Sequence, residues 1–214
     1  MPTLRIVSIN DVYALDNLPR LKSLVRHHLR EVHLGKADAI IVPLAGDFLA
    51  PSLLSSIDAG RGMVDCLNDV GVTHVILGNH EDDIPIEELR SRLKELRATC
   101  IGTNIRRGLD LPTHIVLEVG PDFRVALLGV VMIDEAVYRG KPFGGAEVVD
   151  PNVAAVTETQ SLLSTKKVNA VIPLTHQSIA ADKALTEMQQ TPPYPVIVGG
   201  HEHTPMLIQS NGTW

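Results

Sequence analysis

His74-Val75-Ile76-Leu77-Gly78-Asn79-His80-Glu81 is a short apolar run that stops at a glycine and then presents a carboxamide, an imidazole and a carboxylate in succession. A run of that length bounded by a turn residue reads as a buried strand. Its polar tail is the informative part. The same grammar recurs elsewhere, with strands expected at Leu4 to Ile9, Ala39 to Leu44, Ala98 to Gly102, Ile115 to Val119, Val125 to Val131, Ala170 to Leu174 and Val196 to Val198. Asp11 follows the first of these runs, Asp47 the second, Asn79 and His80 the third, His176 the run ending at Leu174, and His201 with His203 the last. Five strands therefore end in Asp, Asn or His.

Helical spacing fills the gaps between several runs. Leu18, Leu21, Leu24, Val25, Leu29 and Val32 form one apolar stripe, with Arg20, Lys22, Arg26 and Arg30 on the other face, which reads as an ordinary solvated side. Further helices are expected from Gly62 to Val70, from Pro85 to Leu96 with the proline in the first turn, from Pro151 to Ser164 and from Ser178 to Met188. Strands alternating with helices give an α/β fold. One connection breaks the alternation: Ile115–Val119 and Val125–Val131 are joined by Gly120-Pro121-Asp122 with no helix between, a hairpin that makes the sheet system mixed. In open α/β sheets the carboxyl ends of strands converge on one crevice. The polar residues at five strand ends can then meet although nearly the whole chain separates them.

Composition narrows the function. The 214 residues carry 25 acidic against 19 basic side chains, a net charge of -6, which argues against a broad nucleic-acid or anionic-membrane surface. Seven aromatic residues are too few for a base-stacking platform. Length favours one large domain over two at roughly 150 residues each. Cys66 and Cys100 are expected as buried free thiols. No apolar run approaches the roughly 18 residues of a membrane span, and the start of the chain has no secretory pattern, so a cytoplasmic location is expected. There is no G-x-G-x-x-G after the first strand and no P-loop. The set of two carboxylates, one carboxamide and several imidazoles, without thiolate, suits Mn, Zn, Fe or similar ions.

Taken in order, Asn10-Asp11-Val12-Tyr13, Gly46-Asp47, Gly78-Asn79-His80-Glu81, Thr175-His176 and Gly199-Gly200-His201-Glu202-His203 resemble the blocks of the calcineurin-like metallophosphoesterases, and the third and fifth are most similar to the 5′-nucleotidase branch. The resemblance covers essentially the whole chain. It implies a four-layer sandwich of two mixed β-sheets flanked by helices, and a centre of two divalent or trivalent metal ions. By the same resemblance Asp11, Asp47 and His203 belong to one metal, and Asp47, Asn79, His176 and His201 to the other, with Asp47 bridging. Two such cations clamp phosphate oxygens and lower the pKa of a shared water, so that hydroxide attacks the phosphorus directly. His80 is expected to face the substrate as charge stabiliser or general acid, oriented by Asp83, whose other reading is an N-terminal helix charge before Pro85.

Two departures from the family pattern bear on function. Tyr13 stands where the family usually has His, and a phenol ligates well only when ionised, which a hard trivalent iron promotes more easily than Zn or Mn. The 5′-nucleotidases also carry a further domain that grips the base, while this sequence stops at Trp214, so it is either a fragment of a longer protein or a form without that domain. The sequence thus predicts one catalytic domain over residues 1–214. Its expected reaction is dinuclear metal-dependent hydrolysis of a small phosphomonoester or phosphodiester. The alternative is a binding module in which Tyr13 has disabled the first metal.

Overall fold

The computed structural model describes residues 2–138, 140–166, 168–188 and 192–214. Its first half runs β1 (Leu4–Ile6), α1 (Leu18–His33), β2 (Ala39–Ile41), β3 (Pro43–Ala45), the turn α2 (Ser55–Asp58), α3 (Arg61–Val70), β4 (His74–Ile76), α4 (Ile86–Glu95) and β5 (Thr99–Cys100). Every pairing among these strands is parallel: β1 with β2, β3 with β4, and β4 with β5. The second half runs β6 (Ile105–Arg107), β7 (His114–Glu118), β8 (Arg124–Val131), the turn α5 (Pro142–Gly145), β9 (Glu147–Val148), α6 (Pro151–Ser161), β10 (Ala170–His176), α7 (Ile179–Met188) and β11 (Val198–Gly200). These build a mixed sheet in the order β11-β10-β8-β7, in which the β7–β8 hairpin is the antiparallel pair. A small antiparallel ladder, β6 with β9, was not anticipated.

Side-chain alternation turns the sheets into layers. Val125 and Leu127 of β8 join Ile172 and Leu174 of β10 against Ile41, Ala45, Ile76 and Ile101, which is the contact between the two β layers. The intervening residues Ala126, Leu128 and Val130 point the other way and pack beneath Ala155 and Leu162 of the α6 region and Leu185 of α7. On the far side Val25 of α1, Val64 and Leu67 of α3 and Leu89 of α4 cover Val42, Leu44, Val75 and Leu77. The result is the expected α/β/β/α sandwich. At Gly129 the layers approach so closely that a Cβ would lie 2.5 Å from both the Ile101 carbonyl oxygen and the Ile76 side chain.

Several element boundaries shift for local reasons. The run Ala39 to Leu44 divides at Val42, whose N–H donates to the Thr73 hydroxyl at 2.8 Å as the strand changes partner from β1 to β4. Beyond Ile6 the first strand persists only as a bridge between Ile9 and Leu44. The last strand begins at Val198 because the Ile197 N–H is taken by the Trp214 carbonyl. Pro85 is extended and precedes α4 instead of opening it, and α6 ends at Ser161, followed by a wider turn. Cys66 and Cys100 are free thiols, Cys100 buried. Among the described residues no helix is long and apolar enough to cross a membrane.

Candidate metal centre

Each expected site residue lies at or beyond the carboxyl end of a strand of one β layer or the other, and glycines let the two layers meet there. A Cβ on Gly200 would sit 2.0 Å from the Ala45 carbonyl oxygen, and one on Gly46 would sit 2.3 Å from His176 Nδ1. A side chain at either position would wedge the layers apart. Gly78 is as constrained, since its Cβ would fall 2.1 Å from Asp47 Oδ1. These approaches bring the end of β10 against the loop after β3.

His176 is fully buried, and its Nδ1 lies 2.8 Å from the Ala45 carbonyl oxygen, which fixes that nitrogen as a donor. Its Nε2 faces Asp47 Oδ2 and Asn79 Oδ1, each at 3.2 Å. At the same oxygen of Asp47, the single Tyr13 hydroxyl proton faces two carboxylate acceptors, Asp11 Oδ1 at 3.2 Å and Asp47 Oδ2 at 3.1 Å, with His203 Nε2 3.4 Å away. Acceptors thus outnumber protons around Asp47 Oδ2, an arrangement that a cation satisfies. Ligand atoms of Asp11, Asp47 and His176 all lie within 4.8 Å of one another. The donor set of oxygen and imidazole nitrogen therefore fits the metals that the sequence pattern implies.

Electrostatics favours the same use. Burial opposes ionisation of Asp47, but the His176 hydrogen bond and charge, with the His80 backbone N–H, hold its carboxyl below the usual range. Burial likewise opposes the His176 cation, yet the Asp47 bond raises its pKa, so a proton competes with a metal for Nε2. His201 is shifted down by burial and by His176, whose ring is 5.3 Å away, leaving it the neutral imidazole a ligand must be. Burial and the charges of Asp47 and Asp11 push the Tyr13 phenol well above its ordinary range, and it acts here as a hydrogen-bond donor.

All nine sequence-selected residues gather at this sheet edge. His201 donates its backbone N–H to Asp11 Oδ2 at 2.9 Å, and His203 reaches Asp11 Oδ1 at 3.4 Å from the exposed rim. His80 lies on the 3-10 turn Asn79–Asp83, its Nδ1 2.7 Å from Asp83 Oδ2, and its ring meets that of Tyr13 edge-on at 6.2 Å. Asp83 thus touches the imidazole. Three residues of the set, Asp11, Asp47 and His201, hold positive φ of 50°, 55° and 76°. Most non-glycine residues avoid that conformation, which Asp, Asn and His tolerate better than the rest.

Glu81 closes the Gly78-Asn79-His80-Glu81 block, and nothing in the sequence marks a role for it. It is completely buried, and its carboxylate accepts the N–H groups of Asp47, Phe48, Leu49 and Gly78 at 2.6–2.9 Å. It is the clamp that shapes the Asp47 loop. Burial and the charge of Asp47 push its pKa up to about 7, against the pull of the backbone N–H groups. Beside the centre, a cleft of about 760 Å³ opens between β11, α7 and the C-terminal segment, with Asn10, Asp11, Tyr13, Glu202 and His203 in its lining. Its size suits a small organic ligand.

The profile of calcineurin-like phosphoesterases matches residues 4–205. The chain belongs to this family. A probable 5′-nucleotidase of Treponema pallidum is 26% identical over 184 residues, covering 83% of this chain and 30% of the relative. The 5′-nucleotidase of Bos taurus is 28% identical over 167 residues, covering 75% of this chain and 29% of its own length. The chain therefore spans under a third of these relatives. Among solved structures, the sulfate thiohydrolase SoxB of Thermus thermophilus superposes with a TM-score of 0.80 at 24% identity, covering 95% of this chain and 37% of that one. A 5′-nucleotidase precursor from the same organism gives 0.77 at 23%, covering 92% and 41%. Both share the metallophosphoesterase fold described above.

Proposed function

We propose that the chain is a dinuclear metal-dependent phosphoesterase unit that hydrolyses a small phosphomonoester or phosphodiester, nucleotides included. The observation that carries this reading is the surplus of acceptors around Asp47, where His176 Nε2, Asn79 Oδ1, Asp11 and His203 converge with too few protons. Bound cations of the Mn, Zn or Fe type would neutralise the phosphoryl oxygens and acidify water for direct attack, with no covalent enzyme intermediate. Asp47 would be shared by the two ions, with Asp11 and His203 holding one and Asn79, His176 and His201 holding the other. The Tyr13 hydroxyl, with one proton between Asp11 and Asp47, trims the ligand set on the Asp11 side.

The His80–Asp83 pair supplies the acid. Asp83 accepts from Nδ1 and so sets the tautomer and angle of the ring, leaving Nε2 to meet the leaving oxygen or the developing charge. A module built only to bind would not need it. The open cleft beside Asn10 and Glu202 holds the organic part of the substrate.

The test is turnover of a phosphoester panel by purified protein loaded in turn with Mn, Zn, Fe and Mg, beside His80→Ala and Asp47→Asn. His80→Ala is expected to lose about 10²- to 10⁴-fold in kcat with its metal content retained. Asp47→Asn is expected to lose metal and activity together. A parent protein that binds metal but turns over nothing, while Tyr13→His does, would favour the binding module. Full activity of His80→Ala on leaving groups of high pKa would remove the acid role.

A further inference from the structure

Away from the strand-end centre, α1 gathers a second group of ligand-type side chains. Glu31 stands four residues after His27 and three after His28, so both imidazoles reach one carboxylate across a single turn. His28 Nδ1 lies 2.9 Å from Glu31 Oε2, and His27 Nε2 lies 3.8 Å from Glu31 Oε1. The three ligand atoms all fall within 4.8 Å of one another, and the two rings meet edge-on at 5.1 Å. Metal bonds of about 2.0–2.2 Å in tetrahedral geometry separate neighbouring donor atoms by roughly 3.3 Å, a value between the two distances found here.

The setting favours coordination over a simple solvated face. The side chains of His28 and Glu31 are 18% and 19% exposed, which restricts their rotamers before any ligand arrives. His27, at 64%, faces solvent and leaves water to complete the sphere. Arg5 of β1 holds Glu31 Oε2 at 3.2 Å. Its guanidinium orients the carboxylate, and its charge opposes a cation and sets a limit on affinity. Glu31 is kept ionised, foremost by its bond to His28.

We propose that His27, His28 and Glu31 form a surface site for one transition-metal ion of the zinc, nickel or copper type, distinct from the centre around Asp47. Two imidazole nitrogens and one carboxylate with an open fourth position form a ligand set of that class, and the nitrogens select against magnesium and calcium. On coordination the proton shared by His28 Nδ1 and Glu31 passes to solvent, and the metal replaces the hydrogen bond with two bonds. The ion staples one turn of the helix that covers the first β layer.

Zn²⁺ alone serves as the probe, in equilibrium dialysis of the whole chain followed by elemental analysis. The unmodified protein should hold one Zn²⁺ more than the double variant His27→Ala/His28→Ala, while His33→Ala on the same helix should keep the full number. Phosphoester turnover, where present, should be equal in all three. An equal count in the parent and the double variant would overturn the site. A second measurement needs no variant: Zn²⁺ should slow acylation of His27 and His28 by diethyl pyrocarbonate, read by peptide mass spectrometry, relative to His33. Equal labelling of all three with and without Zn²⁺ refutes the proposal even if the double variant fails to fold.

Discussion

Replacing Glu81 by glutamine tests how the Asp47 loop is held, because the change removes charge without removing volume. Glu81 Oε1 accepts from Phe48 and Leu49, while Oε2 accepts from Asp47 and Gly78. A glutamine keeps one oxygen and turns an NH₂ group toward the other pair of N–H donors, so two of four bonds are lost and donors face donors. Hydrogen bonds to a buried charged group contribute about 1.5–3 kcal/mol each, so the two lost bonds are worth about 3–6 kcal/mol, part of which is recovered because burial and Asp47 already disfavour the charged form of this carboxyl. That is a large fraction of the roughly 5–15 kcal/mol that holds a domain folded. Urea unfolding of the metal-free protein at pH 8, above the value of about 7 to which burial and Asp47 push this carboxyl, gives the comparison with the acid mostly ionised. Metal titration should show affinity weakened about 10- to 100-fold, as expected when the support behind a ligand is removed. Glu81→Ala, which orphans all four N–H groups, should be worse on both counts. An unfolding free energy within about 0.5 kcal/mol of the parent, with unchanged metal affinity, would refute the clamp.

Tyr13→His should tighten the metal position beside Asp11 by about tenfold or more, ~1.4 kcal/mol, and raise turnover at limiting metal; an unchanged metal titration would show that Tyr13 does not limit the site. Gly78→Ala places a methyl 2.1 Å from Asp47 Oδ1, so it should cost about 1–3 kcal/mol and metal occupancy, whereas Gly140→Ala, with nothing within 4 Å, should not change occupancy. Burial raises the Asp182 pKa from 3.8 to about 6 against the pull of Gln177. The folded protein therefore holds the extra proton between those values, and the Asp182 contribution to stability falls as pH rises through that window. Asp182→Asn should flatten this part of the stability profile, and an unaltered slope from pH 4 to 6 would count against it.

The strand-end residues were legible because each sits where an apolar run stops, and the chain itself records that position. Asp11, Asp47, Asn79, His176 and His201 needed only the rule that parallel strands share a carboxyl edge. Glu81 was not legible in the same way. Its partners are N–H groups 32–34 residues earlier and one three residues back, and backbone donors leave no mark in a sequence. The division of the run Ala39 to Leu44 hid for a related reason, since Thr73 breaks it from outside. The β6–β9 ladder consists of a three-residue and a two-residue strand, too short to show alternation. The basic stripe on α1 drew attention from His27 and His28, which lie among those arginines and gain a shared partner only once the helix forms.

The left-handed backbone at Asp11, Asp47 and His201 changes what an alanine scan of this centre would measure. At these three positions alanine deletes the ligand and also imposes a main-chain cost of about 1–2 kcal/mol that short polar residues are better able to escape. Two losses would then be read as one, and a protein that had merely lost loop order would be scored as one that had lost a ligand. Asparagine, which tolerates the same dihedral angles, separates the two, and at Asn79, His176 and His203, which are outside this positive-φ set, alanine carries no such ambiguity.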